Sequence, residues 1–227
     1  MYTGFYGGSW LIFVLPAILF AGYAQMKVKT TFSQYLKVPS ESGMTGAQVA
    51  RRILDSSGLS DIPIEAVRGN LTDHYDPGKR VIRLSQNVYG SSSIASVSVA
   101  AHEVGHAIQH AEGYFPLILR NNIAPIANFG SKLVWIFVIL GFIISPFLID
   151  VGIALFLAAV LFQIVTLPVE FNASRRAMVH LENGLIPSQS LKPAKKVLDA
   201  AALTYVAATI VALAELLRLL ALRGQRR

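Results

Sequence analysis

From Gly4 to Gln25 the chain carries no charged residue, and three further apolar stretches follow: Val134 to Ile149, Val151 to Val165, and Ala200 to Leu222. No other feature limits the possible folds so strongly. Inside hydrocarbon every backbone N–H and C=O must be satisfied within the segment or by a closed barrel, so runs of this kind are helices. About 20 apolar residues cross a bilayer. The first run is long enough alone. The second and third are slightly short, are separated by Ser145-Pro146 and Asp150, and read as a helical hairpin. The fourth is interrupted by Glu215 and Arg218, which stand i, i+3 on a helix and can pair. With 53% hydrophobic and only 15% charged residues, the composition is that of a membrane protein.

Between and after these runs lie the residues that carry chemistry. His102-Glu103-Val104-Gly105-His106 is an H-E-x-x-H motif. Residues four apart share one helix face, so two imidazoles at this spacing can grip one metal ion. The glutamate can then serve as general base for a water activated by that ion. The local context suits a helix. Ser91-Ser92-Ser93 offers N-cap hydroxyls, residues 94–101 continue without a breaker, and Gly113 and Pro116 provide a stop. The alternative is a polar helix with solvated histidines. It is disfavoured because an apolar helix gains little from two unpaired imidazoles.

A third ligand must come from elsewhere. His110 continues the i, i+4 series, but at ~1.5 Å rise per residue it stands ~12 Å from His102 along the axis. That is too far for an ion whose bonds to nitrogen are ~2.0–2.1 Å. His110 is therefore expected behind the ligands or at an interface. Glu170 is the better candidate. It lies in a segment that Pro168 is placed to open as a helix, with Ser174 one turn beyond. Two imidazoles and a carboxylate leave a fourth position open, as in catalytic zinc sites. The alternative for Glu170 is a boundary carboxylate paired to Arg175 or Arg176.

Three segments together resemble the YugP-type neutral zinc metallopeptidases of bacterial membranes. They are residues 101–109 around the motif, Pro168-Val169-Glu170-Phe171-Asn172-Ala173-Ser174-Arg175-Arg176-Ala177, and Leu71-Thr72-Asp73-His74-Tyr75-Asp76-Pro77. More distantly the layout is similar to HtpX-like heat-shock proteases and CAAX prenyl proteases. The resemblance implies an α-helical membrane protein of about four transmembrane helices. A small α+β zincin-like catalytic domain would place the H-E-x-x-H helix beside a short sheet. It further implies a gluzincin-like zinc metallopeptidase with His102, His106 and Glu170 as ligands of Zn2+ and Glu103 as the catalytic base. Ser174 stands where the distant relatives carry an aspartate that would orient a ligating histidine, and a serine does this more weakly.

The expected division of the chain is a first span over 4–25 and a catalytic region over 27–130. A membrane hairpin follows over 132–167, then a helix over 168–198 bearing the third ligand, and a transmembrane or interfacial helix over 200–222. Within the soluble region Thr45 to Ser57 reads as an amphipathic helix with Val49, Ile53 and Leu54 on its apolar face and Gly58 at its end. Residues 62–67 and 80–84 read as strands, the second being a candidate edge along which a peptide could add. Asn70 to Gly78 reads as the loop between them. His74 and Tyr75 in that loop are candidates for substrate contact. Tyr75, Arg176 and His180 are candidate donors to a developing oxyanion. His180 is the poorest placed, since it lies off the helix face that carries Glu170.

Charge sets the expected topology. No Lys or Arg precedes the first run, while Lys27, Lys29 and Lys37 follow it at once. The first run is therefore expected to be an uncleaved anchor despite Gly22-Tyr23-Ala24, with the amino terminus outside and the catalytic face in the cytoplasm. Arg223, Arg226 and Arg227 run against this rule if the last run crosses fully. The net charge of +7 belongs to residues flanking spans, where they meet anionic lipid. No nucleic-acid reader motif accompanies it. Cysteine is absent, which excludes thiolate sites. The reading is a multi-pass membrane endopeptidase acting on membrane or membrane-associated proteins. Its alternatives are a zinc amidohydrolase with a non-protein substrate and a non-catalytic adaptor stabilised by zinc.

Overall fold

The computed structural model describes residues 9–224; Gly4, where the first apolar run begins, and Arg226 and Arg227 lie outside them. In order the elements are α1 (Ser9–Leu36), α2 (Gly46–Ser56), β1 (Ile64–Val67), β2 (His74–Asp76), β3 (Val81–Ser85), α3 (Gln86–Gly90), α4 (Ile94–Ala111), α5 (Phe115–Ile143), α6 (Phe147–His180) and α7 (Ser188–Gly224). A single π-turn, Leu181–Leu185, follows α6. Among the described residues four helices are long and apolar enough to cross a membrane: Ile12–Leu36, Phe115–Ile143, Phe147–Leu185 and Ser188–Gly224. The protein is thus a mostly helical membrane protein with a small three-stranded sheet.

The chain forms two compact units. One comprises the described residues up to Gln25, Pro116–Pro168 and those from Thr204 onward. Its helices meet through small residues. A Cβ on Gly130 would lie 2.6 Å from the carbonyl oxygen of Leu155, so α5 and α6 approach backbone to backbone there. Val14 and Ala17 of α1 pack on Ala214 of α7. Val134 and Val138 of α5 pack on Leu219 of α7. Ile136, Ile139, Leu157 and Leu161 turn outward, as lipid-facing side chains do. Two sets of charges in this unit are paired. Arg218 bonds Glu215 at 2.7 Å and lies 4.7 Å over the ring of Trp135. Arg223 reaches Asp150 at 2.5 Å. Helix α7 continues to Gly224, and the carboxylate of Asp150 at the start of α6 pairs with Arg223 near its end.

The second unit comprises Met26–Phe115 and Val169–Leu203. Helix α2 forms where its pattern predicts. Thr45 accepts from the amide of Gln48 at 3.3 Å, and the Gln48 side chain accepts from the Thr45 amide at 2.8 Å. Val49, Ile53 and Leu54 are fully buried beneath it, and Gly58 takes φ +72° just beyond its end. The sheet differs from the sequence reading. Its order is β1-β3-β2, with β1 parallel and β2 antiparallel to β3. The strand at 81–85 is therefore central, not an edge, and residues 74–76 of the expected loop supply the edge strand instead. Arg83 explains this insertion, because its guanidinium bonds Asp76 of β2 at 2.7 Å and Glu65 of β1 at 3.2 Å. Asp73 adds a clamp, accepting from the amide and hydroxyl of Ser85 at 2.7 and 3.1 Å. No hydropathy pattern signals so short a strand.

Helix α4 runs through the core of this unit. Ser93 caps it, accepting from the amide of Ser96 at 3.2 Å. Val97, Ala100, Ala101, Val104 and Ala107 are buried along it. It lies against the residues of α6 that follow Pro168. A Cβ on Gly105 would stand 2.6 Å from the carbonyl oxygen of Ala173, so only glycine permits this approach. Pro168 does not open a new helix: it lies inside the continuous α6. One missing N–H costs a single ladder bond, and the long helix carries on through it. Helix α5 likewise begins at Phe115, well before Val134, with Pro116 in its first turn, where proline does no harm.

Gly105→Val is expected to push α4 off α6 and to destabilise the protein by about 1–3 kcal/mol, the range for overpacking a tight contact. Thermal unfolding in detergent measures this, with Gly22→Ala, where an added Cβ meets nothing within 4 Å, as the control.

Candidate metal centre

Helical periodicity puts His102 and His106 on one face of α4, and the close approach at Gly105 brings α6 opposite them. The Nε2 atoms of the two imidazoles are 3.2 Å apart. Glu170 Oε2 stands 3.3 Å from the first and 3.4 Å from the second. Glu170 is 3% exposed, and the imidazoles are only slightly more open. Each ring is held from behind: Ser174 Oγ lies 3.2 Å from His102 Nδ1, and Gln109 Oε1 lies 3.0 Å from His106 Nδ1.

These distances can be tested against a metal. Four ligands at ~2.1 Å in a tetrahedron stand about 3.4 Å from one another, so the three observed separations suit one small ion. The chemistry of the donors agrees. A carbonyl oxygen on the Gln109 amide can only accept, so His106 carries its hydrogen on Nδ1 and turns the lone pair of Nε2 inward. A carboxylate oxygen and an imidazole lone pair that close repel unless a positive charge sits between them. His106 shows the same demand. Burial alone would push its pKa down, but the Glu170 carboxylate outweighs burial and holds it above the usual histidine value. Zinc, with its preference for imidazole and carboxylate, fits this donor set.

Glu103 belongs to the same centre but is held separately. It is 7% exposed, and its Oε2 accepts from the backbone amide of Tyr75 at 3.0 Å. Burial pushes the Glu103 carboxyl above the ordinary glutamate value, against the opposing pull of His102 and His106. The other site residues expected from sequence fall in different places. Tyr75 also places its hydroxyl 2.8 Å from His110 Nδ1, which gives His110 a partner outside the cluster. His74 is exposed and engages the carbonyl of Thr72 and the guanidinium of Arg83. Arg176 pairs with Glu112 at 2.6 and 2.9 Å, not with Glu170. His180 is half-buried at the end of α6 and joins none of these bonds. Gln109 and Asn172 are the residues that sequence reasoning missed. The available signal was that Gln109 stands three residues after His106, one helical turn away.

The sequence profile of a family described as "putative neutral zinc metallopeptidase" matches residues 10–224. The chain belongs to that family. A member of similar length, the "putative membrane protease YugP" of Bacillus subtilis (strain 168), is 52% identical over 210 residues, covering 92% of this chain and 93% of that one. No solved structure matches the chain. Among the described residues, His102, His106 and Glu170 form the group that could hold a metal ion, with ligand atoms within 4.8 Å of one another.

The raised Glu103 pKa has a thermodynamic consequence. A carboxyl whose folded pKa exceeds its unfolded value stabilises the fold fully below the unfolded value of about 4.3, and loses that contribution as pH rises through the folded value. Glutamine keeps an acceptor for the Tyr75 amide and has no charge to desolvate. In chelator-treated protein, Glu103→Gln is therefore expected to gain in melting temperature over wild type as pH rises from about 4.5 to 8. A difference that stays flat across this range contradicts the assignment.

Proposed function

We propose that this protein is a membrane-embedded zinc endopeptidase that cleaves membrane or membrane-associated proteins. The observation that carries the reading is the meeting of two inward-facing imidazole nitrogens and a buried carboxylate, with a second, separately tethered carboxylate beside them. His102, His106 and Glu170 would hold the ion. Zinc in that position supplies Lewis acidity, polarising the scissile carbonyl and lowering the pKa of the attacking water.

The remaining work falls to this chain's own side chains. Glu103 takes the proton of the attacking water and passes it to the leaving amine. The Tyr75 amide fixes one oxygen of that carboxylate and leaves Oε1 for the water. The raised pKa of Glu103 makes it a stronger proton acceptor than an ordinary carboxylate. Ser174 and Gln109 hold the imidazoles in position. A peptide would lie along β2, the edge strand bonded to α4 through Tyr75 and Glu103, and would add to the sheet by main-chain hydrogen bonds. Glu170 stands two residues past Pro168 on a helix long and apolar enough to span the bilayer, which favours substrates that themselves lie in or on the membrane. By the charge rule the catalytic face is cytoplasmic.

Glu103→Gln is expected to retain stoichiometric zinc by elemental analysis and to lower cleavage of casein or a membrane-protein substrate by at least about 100-fold, the usual worth of a general base. Equal cleavage by variant and wild type removes the peptidase reading; intact activity on small amides with none on proteins favours the amidohydrolase. For orientation, Ser91→Cys in an otherwise cysteine-free chain is expected to resist a membrane-impermeant maleimide in intact cells and to react after lysis. Labelling from outside reverses the topology.

A further inference from the structure

Behind His106 runs a chain of polar side chains that ends at the protein surface. Glu112 accepts two hydrogen bonds from Arg176, at 2.9 and 2.6 Å. Arg176 Nε donates to Asn172 Oδ1 at 2.8 Å. Gln109 Nε2 donates to that same oxygen at 2.9 Å and to the carbonyl of Val169 at 2.8 Å. Gln109 Oε1 then faces His106 Nδ1 at 3.0 Å. Val169, Asn172 and Arg176 share one face of α6 at i, i+3 and i+7, and Gln109 is fully buried against them.

We propose that Arg176, acting through Asn172 and Gln109, sets the tautomer of His106 so that its Nε2 is always the free lone pair. The logic follows from donor and acceptor types. A guanidinium can only donate, so the atom of Asn172 that meets Arg176 Nε is its oxygen. That oxygen and the Val169 carbonyl can only accept, so the atom of Gln109 between them is its NH2 group. The Gln109 oxygen therefore points at His106, and His106 Nδ1 carries the hydrogen. Reversing any member sets donor against donor or acceptor against acceptor in a buried site, where an unmade hydrogen bond is most costly. His102 has no such constraint. Its partner is the Ser174 hydroxyl, which donates or accepts equally well. One ligand of the pair is thus fixed in advance and the other adapts. Arg176, Asn172 and Gln109 are positioning residues, and the inference rests on His106 being a metal ligand as proposed above.

The test reads the tautomer directly, without activity. The full chain has five histidines, few enough for ring-15N spectra of the detergent-solubilised, chelator-treated protein to be assigned by substitution. At a pH where His106 is neutral, wild type is expected to carry its hydrogen on Nδ1. Asn172→Ala removes one of the two acceptors that hold the Gln109 NH2 group and leaves the Val169 carbonyl, and His106 is expected to gain a population of the Nε2–H form. Zinc affinity, measured by competition with a chromogenic chelator, is expected to fall by about 10–100-fold. Asn172→Asp keeps an acceptor-only atom at the junction and is expected to restore both. Asn172→Ala with the wild-type tautomer overturns the proposal, even if its zinc affinity falls, because the loss is then merely structural. Should that variant not fold, Arg176→Met tests the surface end of the chain, and an unchanged tautomer there likewise overturns it. Wild-type protein that shows the Nδ1–H form yet binds no zinc defeats the metal reading while leaving the relay in place.

Discussion

Two imidazole nitrogens and a carboxylate oxygen held 3.2–3.4 Å apart in a nearly dry pocket are the constraint on which the second unit is organised. The carboxylate and the inward lone pair of His106 repel one another, so the fold must press the three groups together and a positive charge must balance them. The pressing is done by α4 and α6. Gly105 lets the helices approach to backbone distance, and Val169, Ala173 and Ala177 present a small, fully buried face to α4. The same face carries the polar chain from Gln109 to Arg176, so the contact that brings Glu170 to the histidines also orients one of them.

The sheet serves this centre in a different way. Its middle strand is tied to both neighbours by Arg83, and Asp73 locks the approach to β2 onto Ser85. The result is that a single backbone amide, that of Tyr75, is delivered to Glu103. A buried carboxylate held by one donor keeps a high proton affinity, whereas one held by several would lose it. Burial raises the proton affinity of Glu103, and the three-residue strand holds one of its oxygens in place.

In the membrane helices two sets of charged groups are paired. Glu215, Arg218 and Trp135 form one set, and Asp150 and Arg223 another. An unpaired charge at such positions would carry the full cost of desolvation, and pairing reduces that cost while joining α7 to α5 and α6.

Much of this was legible in the chain itself, because it depends on residues close in sequence. Uncharged runs dictated spanning helices, since no other structure satisfies a backbone in lipid. The four-residue spacing of His102 and His106 dictated that they share a face. Thr45 with Gln48, and Val49 with Ile53, wrote out α2 within one or two turns. What the sequence left open concerns atoms distant along the chain. The length of α6 through Pro168 was not legible, because one lost ladder bond does not stop a long helix whose turns on either side remain bonded. The edge strand at 74–76 depended on Arg83 and Ser85, which reach it from another strand. The tertiary structure alone decided which carboxylate faces the imidazoles and which way the Gln109 amide turns. Both are settled by packing between two helices some sixty residues apart, as in the Gln109 bond to Val169, and no local pattern encodes a contact of that range.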